Sequence, residues 1–449
     1  MVIEERLKRS IALRKDDVFL RSEFSDFGSP AQVSRALRHL VANGVLVKLG
    51  VGVFAKAKAS VLTGKPIPVR PLEVLAPLVL QKLGVKITAG RAVREYNASD
   101  SLQLPPASFL TRVHGVLIAS SASVVGTSFM KIITPEQVEL IDAVLAEVDV
   151  GLLTASILEK DVHVTDALQA LMGMRFPGVR LVFCGGTSLS KAYQLIERMS
   201  EDVDLKIVLD EPDALSASAQ KRHLSNLKAQ VCHVLAGLGF EEIVEARVAR
   251  NENRYFASRW QYAPQYPHDT SLRPYLSLEL TARIPQFEVT QQPLEYLVNR
   301  LAARSGRLDD IACVAVEETL AEKVISFLRR YAQHQAGAML QPWDDTLVRH
   351  IYDVYCISRG DPAVGERAAL GFKRLVEFDA LEFGRQFPPF ADDPGDVMRS
   401  ALHQASSDAL IRSQYDAKLM PLIFGNVRPS FDEAYVVFRL HAEALIRTL

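Results

Sequence analysis

The sequence predicts an α+β protein made of several domains, and three observations lead there. The chain has 449 residues, which at roughly 100 to 200 residues per domain predicts two to four of them. Its charge is divided: residues up to Ile132 hold 19 Lys and Arg against 9 Asp and Glu, and the remainder holds 33 against 44, although the formal net charge is −1. Helical and alternating patterns also succeed one another along the chain, with strand patterns near Leu46 and between Val179 and Thr281 and helical ones from Val316 onward. A basic half suits nucleic acid and an acidic half suits cations, and the two halves can also neutralise each other. Composition is that of a folded globular protein, at 48% hydrophobic and 23% charged. Met1-Val2-Ile3-Glu4-Glu5-Arg6 turns charged before an apolar run can build, and no apolar stretch of about 18 residues follows. Neither export nor membrane spanning is expected. Cys184, Cys232, Cys313 and Cys356 are too scattered for a CxxC pair or a disulfide framework, so a reducing cytoplasm is the expected setting.

The first expected element is a helix with Ile3, Leu7 and Ile11 on one stripe, followed by an extended Asp17 to Arg21. Phe27-Gly28-Ser29-Pro30 then offers Ser29 as N-cap and Pro30 as first helical residue. In the helix that follows, Val33, Leu37 and Leu40 face a core, while Gln32, Ser34, Arg35 and Arg38 face outward, residue types that reach base edges and phosphates. Asn43-Gly44 stops it. Val45 to Lys56 alternates around Gly50-Val51-Gly52, a hairpin with Lys48, Lys56 and Lys58 beside it. These elements make a winged helix over residues 1–62, with Gln32, Ser34, Arg35, Arg38 and Lys48 as the expected DNA contacts. Such folds also serve as protein-interaction modules, and outward arginines alone suit a solvated face.

Thr63-Gly64-Lys65-Pro66-Ile67-Pro68 reads as a linker. A small α/β domain is expected over 70–132, with a helix from Pro71 to Leu83, a break at Leu104-Pro105-Pro106 and a strand from Val113 to Ala119. Residues 1–132 resemble the AbiEi-type antitoxins, which implies a winged helix followed by a second domain that contacts DNA or toxin.

Farther along, the strand pattern Val179 to Cys184 runs into Gly185-Gly186-Thr187-Ser188 and a helical pattern from Leu189 to Arg198. Glycines let a backbone approach phosphates, and the hydroxyls and helix N–H groups supply donors, so Gly185, Gly186, Thr187 and Ser188 form a candidate nucleotide cradle. Lys191 and Arg198 suit either a phosphate or a solvent-facing role. Immediately downstream, Asp202-Val203-Asp204-Leu205-Lys206 alternates as a strand, so Asp202 and Asp204 project from one face. Two carboxylates so placed can share divalent metal in phosphoryl transfer. A third is expected from Tyr275 to Thr281, whose alternation puts Ser277, Glu279 and Thr281 on one face, and Glu279 is the candidate. Tyr255, Phe256, Arg259, Trp260 and Tyr262 suit base stacking or, more simply, a packed core edge.

The runs Gly185 to Tyr193 and Arg198 to Leu205 resemble the AbiEii/AbiGii toxin family of nucleotidyltransferases, over about residues 134 to 449. The resemblance implies a polymerase-β-like nucleotidyltransferase with a mixed sheet over 134–310 and a helical part over 311–449. It also implies a two-metal Mg²⁺ site at Asp202, Asp204 and Glu279, an NTP substrate, and an RNA acceptor such as a tRNA 3′ end, in a toxin-antitoxin or phage-defence setting. Lys323, within Val316 to Ile325, maps to the family's active-site lysine. Arg349 and Asp353 carry over from its Arg-Asp-x-x-Asp-like helix, as nucleotide-binding and catalytic residues, although the pair also suits a structural salt bridge. His350 departs from the usual Asp. Transfer to a small molecule or a protein hydroxyl, and a DNA-binding regulator that senses nucleotide without turnover, are the alternatives.

Overall fold

The computed structural model describes residues 3–85, 130–210, 216–267, 272–339 and 342–449. Of the domain expected over 70–132, residues 86–129 lie outside these, including the Leu104-Pro105-Pro106 break and the strand from Val113 to Ala119. The chain forms two compact units. One is Met1–His163 with Ala263–Leu272 and Tyr296–Gly306, and the other is Val164–Tyr262, Arg273–Glu295 and Arg307–Leu449. No helix among the described residues is long and apolar enough to cross a membrane.

In the first unit, α1 (Ile3–Leu13) buries Leu7 and Ile11 against Phe19, Phe24, Leu37 and Leu40. Helix α2 (Pro30–Ala42) begins with a reciprocal cap: the Ser29 hydroxyl accepts from the Gln32 N–H, and the Gln32 carboxamide oxygen accepts from the Ser29 N–H at 3.0 Å. Strands β1 (Val18–Leu20), β3 (Val53–Ala59) and β2 (Leu46–Gly50) lie side by side in that order, all antiparallel, and β4 (Pro66–Pro68) adds to β3. The expected linker therefore contributes a strand. Helix α3 (Leu72–Lys82) follows.

A domain boundary at residue 134 was the expectation, but the first unit continues past it. Helix α4 (Pro135–Glu147), capped by Thr134 and Gln137, buries Asp142, which accepts from Lys58 Nζ at 2.5 Å and from the Tyr266 hydroxyl at 2.9 Å. Thr63 donates to Glu147. Glu159 accepts the N–H groups of Gln265 and Tyr266, and Asp161 accepts that of Leu297 at the start of α8 (Leu297–Leu301). These polar anchors assign 135–163 and two later excursions to the first unit, and none of them is visible as a composition shift.

The second unit is built on an eight-stranded mixed sheet. Its strands are β5 (Val179–Cys184), β6 (Asp202–Leu209), β7 (Glu241–Glu242), β8 (Val248–Arg250), β9 (Tyr255–Gln261), β10 (Leu276–Ala282), β11 (Thr290–Glu295) and β12 (Arg307–Cys313). The order is β11-β12-β5-β6-β10-β9-β7, with β8 beside β9. β6 runs antiparallel to β5 and parallel to β10. One face buries Val203, Leu205, Ile207, Leu276, Leu278 and Leu280 against the later residues of α5 (Ala155–Gly173) and against α7 (Ala217–Gly237). Phe256 and Trp260 belong to this core, as the packed-edge alternative for that aromatic cluster has it. The opposite face carries Asp202, Asp204 and Lys206.

After the sheet come α9 (Val316–Gln335), α10 (Arg349–Gly360), α11 (Val364–Phe383), α12 (Pro388–Asp392), α13 (Pro394–Ala405), α14 (Ala409–Gln414) and α15 (Phe431–Ile446), which bury a core of their own. Phe438 packs edge-on against Phe327 at 5.2 Å and is fully buried. Truncating it to alanine leaves a cavity, so Phe438→Ala is expected to lower stability by about 3 to 5 kcal/mol in urea unfolding.

Candidate active site

The site starts where β5 ends. Gly185 has φ of +77°, and a Cβ there would run into the Asp204 carboxylate, whose Cγ lies 3.0 Å from its position. Only glycine both makes this turn without strain and leaves the carboxylate its space. The chain enters α6 (Gly185–Lys191) at once. The helix expected from Leu189 to Arg198 is thus displaced: it begins at Gly185 and ends at Lys191, and Gln194 takes a left-handed φ of 56°.

That displacement corrects the expected cradle. Thr187 and Ser188 are fully buried. The Thr187 hydroxyl pairs with that of Ser200 at 2.8 Å, and Ser188 donates to the Gly185 carbonyl at 2.9 Å. Their hydroxyls serve the turn itself, which leaves the Gly185 and Gly186 backbone as its open part. A Cβ on Gly186 would lie 2.7 Å from the Arg198 guanidinium. Lys191 is buried as well.

Glu279 on β10 is the parallel register partner of Asp204 on β6, as Ser277 is of Asp202, so the three carboxylates come from adjacent positions of two strands. Burial, then the negative charges of Glu279 and Asp202, push the Asp204 carboxyl well above the usual carboxylate range. Glu279 is raised too, chiefly by burial, against a hydrogen bond from the Tyr255 hydroxyl. Asp202 accepts from Arg273 at 2.7 Å. No group of three or more His, Cys, Asp or Glu among the described residues is gathered closely enough to hold a metal ion. Asp204 and Glu279 are nonetheless hard oxygen donors whose ionised forms are disfavoured by burial and by the neighbouring carboxylates, a penalty that a divalent cation would offset.

Lys323 and Asp353 meet across two helices. The sequence pairs Asp353 with Arg349 on one turn, but the structure gives it to Arg198, whose Nε and Nη2 each donate at 2.7 Å, and to Lys323 at 2.6 Å. All three are buried. The two cations hold the Asp353 carboxyl well below its usual range against the cost of burial. Arg349 is half-buried, and its Nε has no hydrogen-bond partner among the described residues. His350 Nδ1 lies 3.1 Å from the Lys323 carbonyl, and burial followed by the Lys323 charge pushes the imidazole down to about 3, so it stays neutral.

Two adjoining clefts open here. One, of about 300 Å³, is lined among others by Gly185, Asp204, Lys206, Glu279 and Glu322. The other, of about 440 Å³, shares Glu279, Thr281, Arg283, Ser326 and Arg329 with it and adds Arg250, Tyr255 and Arg330. Lys206 is itself buried between Glu318 at 2.6 Å and Glu322 at 2.7 Å. Sequence reasoning missed Arg283, Glu322, Ser326, Arg329 and Arg330. The available signal was polar residues every three or four positions along α9, on the face that meets the cleft.

Asp353→Ala leaves two buried cations without their counterion and is expected to cost about 3 to 5 kcal/mol in urea unfolding. Because its folded pKa is depressed, the Asp353 contribution is present above the unfolded carboxylate pKa and is lost as pH falls. The raised Asp204 acts in the opposite sense: its charged form is disfavoured in the fold, so stability is lost as pH rises through its folded value. Asp204→Asn is therefore expected to raise the melting temperature of the metal-free protein at neutral pH, and an unchanged or lower value would contradict this.

Residues 166–437 match the family described as nucleotidyl transferase AbiEii toxin, Type IV TA system. Among solved structures, MenT4, a nucleotidyltransferase toxin from Mycobacterium tuberculosis H37Rv, is similar over 65% of this chain and 85% of its own, with 18% identity and a TM-score of 0.38. No curated protein matches the chain. The family match spans more than half of the 449 residues, and the protein belongs to the AbiEii nucleotidyltransferase toxin family.

Proposed function

We propose that this nucleotidyltransferase is divalent-metal dependent and moves NMP from an NTP to an RNA acceptor, a tRNA 3′ end being the acceptor that the family resemblance implies. The observation that carries the reading is the pair Asp204 and Glu279, in register on adjacent strands, at the junction of two clefts of which one is lined by Arg250, Arg283, Arg329 and Arg330. Arg329 is held by Asp379 and Arg330 by Asp344, so Arg250 and Arg283 are the guanidiniums of this cleft that suit a polyanion. They favour RNA over a cationic small molecule such as an aminoglycoside.

Asp204 and Glu279 would hold Mg²⁺, which would neutralise charge on the nucleotide phosphates and the attacking oxygen, with Asp202 held beside them by Arg273. The chain's own groups bind and orient. Gly185 and Gly186 let the backbone approach the phosphates, and Lys323, positioned by its ion pair with Asp353, balances the negative charge that builds on the leaving pyrophosphate. The acceptor hydroxyl oxygen bonds the α-phosphorus, the α–β phosphoanhydride breaks, pyrophosphate leaves, and the hydroxyl proton passes to a cleft carboxylate, for which Glu279 is placed. Tyr255 keeps that carboxylate oriented through its hydrogen bond.

The N-terminal elements up to β3 form, in this reading, a winged helix that binds DNA and makes a regulatory half. Arg35, Arg38 and Lys48 are exposed and suit phosphate contacts. Gln32 is committed to the α2 cap and Ser34 accepts from Arg21 at 3.4 Å, so these two are not offered as base readers. Lys56 donates to the Arg14 carbonyl and Lys58 to Asp142, and neither is offered either. The setting is growth arrest in a toxin-antitoxin or phage-defence system.

The test incubates the full chain with Mg²⁺, total tRNA and each α-labelled NTP in turn. Label on RNA is expected, reduced more than about 100-fold in Asp204→Ala, at least the loss that removal of one preorganised donor brings. Label on protein instead of RNA would overturn the acceptor. In gel shifts with DNA fragments from its own promoter region, Arg35→Ala/Arg38→Ala is expected to abolish retardation.

A further inference from the structure

The second unit holds another cavity, of about 520 Å³, that shares no lining residue with the two clefts at Asp204. It runs between α13 and α15. Arg399 and His403, four apart, come from one face of α13, and Arg439 and Glu443, four apart, come from one face of α15, with Arg447 just past its end at the same spacing. Three guanidiniums and an imidazole thus line a groove whose one acidic lining residue is Glu443.

The arginines there are loosely held. Arg399 reaches Asp396 at 3.7 Å and Arg439 reaches Glu443 at 3.8 Å, while Arg447 Nε donates to the Glu443 backbone carbonyl at 3.1 Å. By contrast Arg198, Arg329 and Arg412 each hold a carboxylate within 2.8 Å. Such a concentration of weakly neutralised arginine runs against the acidic balance of the chain after Ile132, where 44 Asp and Glu face 33 Lys and Arg. Carboxylates were plentiful enough to pair these arginines closely, and in the groove they do not. Exposed pairs near 4 Å contribute little, so the guanidinium forks remain available for phosphate oxygens. Leu402 and Ile446, buried in the helical core, form the floor of the same groove. Its volume is that of a site for a ligand of nucleotide size.

We propose that the groove between α13 and α15 docks the phosphodiester backbone of the acceptor RNA, apart from the cleft where transfer takes place. This rests on the RNA-acceptor reading. Charge complementarity selects the occupant: spaced guanidiniums along two helix faces match successive phosphates of a strand.

The test measures anisotropy of a short fluorescein-labelled single-stranded RNA with the full chain across 50 to 200 mM salt, alongside RNA labelling by α-labelled NTP. The variant Arg399→Gln/Arg439→Gln/Arg447→Gln is expected to bind at least about tenfold more weakly. Its log–log salt slope is expected to fall by about 2, from roughly 0.7 per lost phosphate contact on a single strand. The KM for RNA rises and the KM for NTP does not. Glu443→Gln removes the one carboxylate and tightens binding. If the wild type labels RNA and the triple variant binds RNA as tightly with the same slope, the groove is overturned alone. If inorganic tripolyphosphate displaces the RNA at equal phosphate concentration, the groove takes small polyphosphates and the proposal falls. A wild-type chain that neither binds nor labels RNA overturns the acceptor reading together with it.

Discussion

A buried carboxylate ties the catalytic half together. Asp353 on α10 takes two hydrogen bonds from Arg198, which stands between α6 and β6, and one from Lys323 on α9. Three segments far apart in sequence thus meet at one side chain inside the protein. Two cations on one anion leave a net positive charge in a dry place, which is tolerable because geometry and hydrogen bonding are nearly ideal. A second ionic knot of opposite sign lies close by, where Lys206 on β6 holds Glu318 and Glu322 on α9 and Glu318 also accepts the N–H groups of Gln286 and Phe287. Together they fix α9 against the sheet, and with it the position of Lys323 relative to Asp204.

What the sequence could reveal follows the range of the interaction concerned. The start of α2 at Ser29-Pro30 and the faces of β6 and β10 are set by neighbours within a few residues, and there local rules and structure coincide. That alternation also placed Glu279 on the face that Asp204 occupies. The helix after Gly185 was misplaced because helical periodicity continues through Arg198 while the turn closed by Thr187, Ser188 and Ser200 stops the helix at Lys191. Asp353 carried over as a catalytic residue, with a salt bridge to Arg349 as the alternative, and neither reading pointed to Arg198, 155 residues away in sequence. Arg250 and Arg283 were not legible at all, since no spacing rule joins them to Arg329 on α9.

Boundaries show the same limit. The capping box at Thr134 and Gln137 announces a helix, and nothing local says which unit that helix joins. Asp142 decides it, through Lys58 and Tyr266, two partners on opposite sides of it in sequence. The family match begins at residue 166, close to where the second compact unit begins at Val164 and not at the expected 134. Charge asymmetry does not mark the border of the first unit, because residues 135–163 are acidic in composition and yet pack with the basic part.

The parallel pairing of β6 with β10 bears on when the enzyme becomes dangerous to the cell that makes it. Parallel neighbours need a long crossover, and here Asp204 waits for α7, β9 and β10 before Glu279 stands beside it, then for α9 and α10 before Lys323 and Asp353 are in place. A nascent chain still on the ribosome, or one truncated by a premature stop before α10, lacks the full constellation. Under the proposed mechanism, competence is therefore tied to synthesis through α10, and shorter fragments lack groups that the transfer would use.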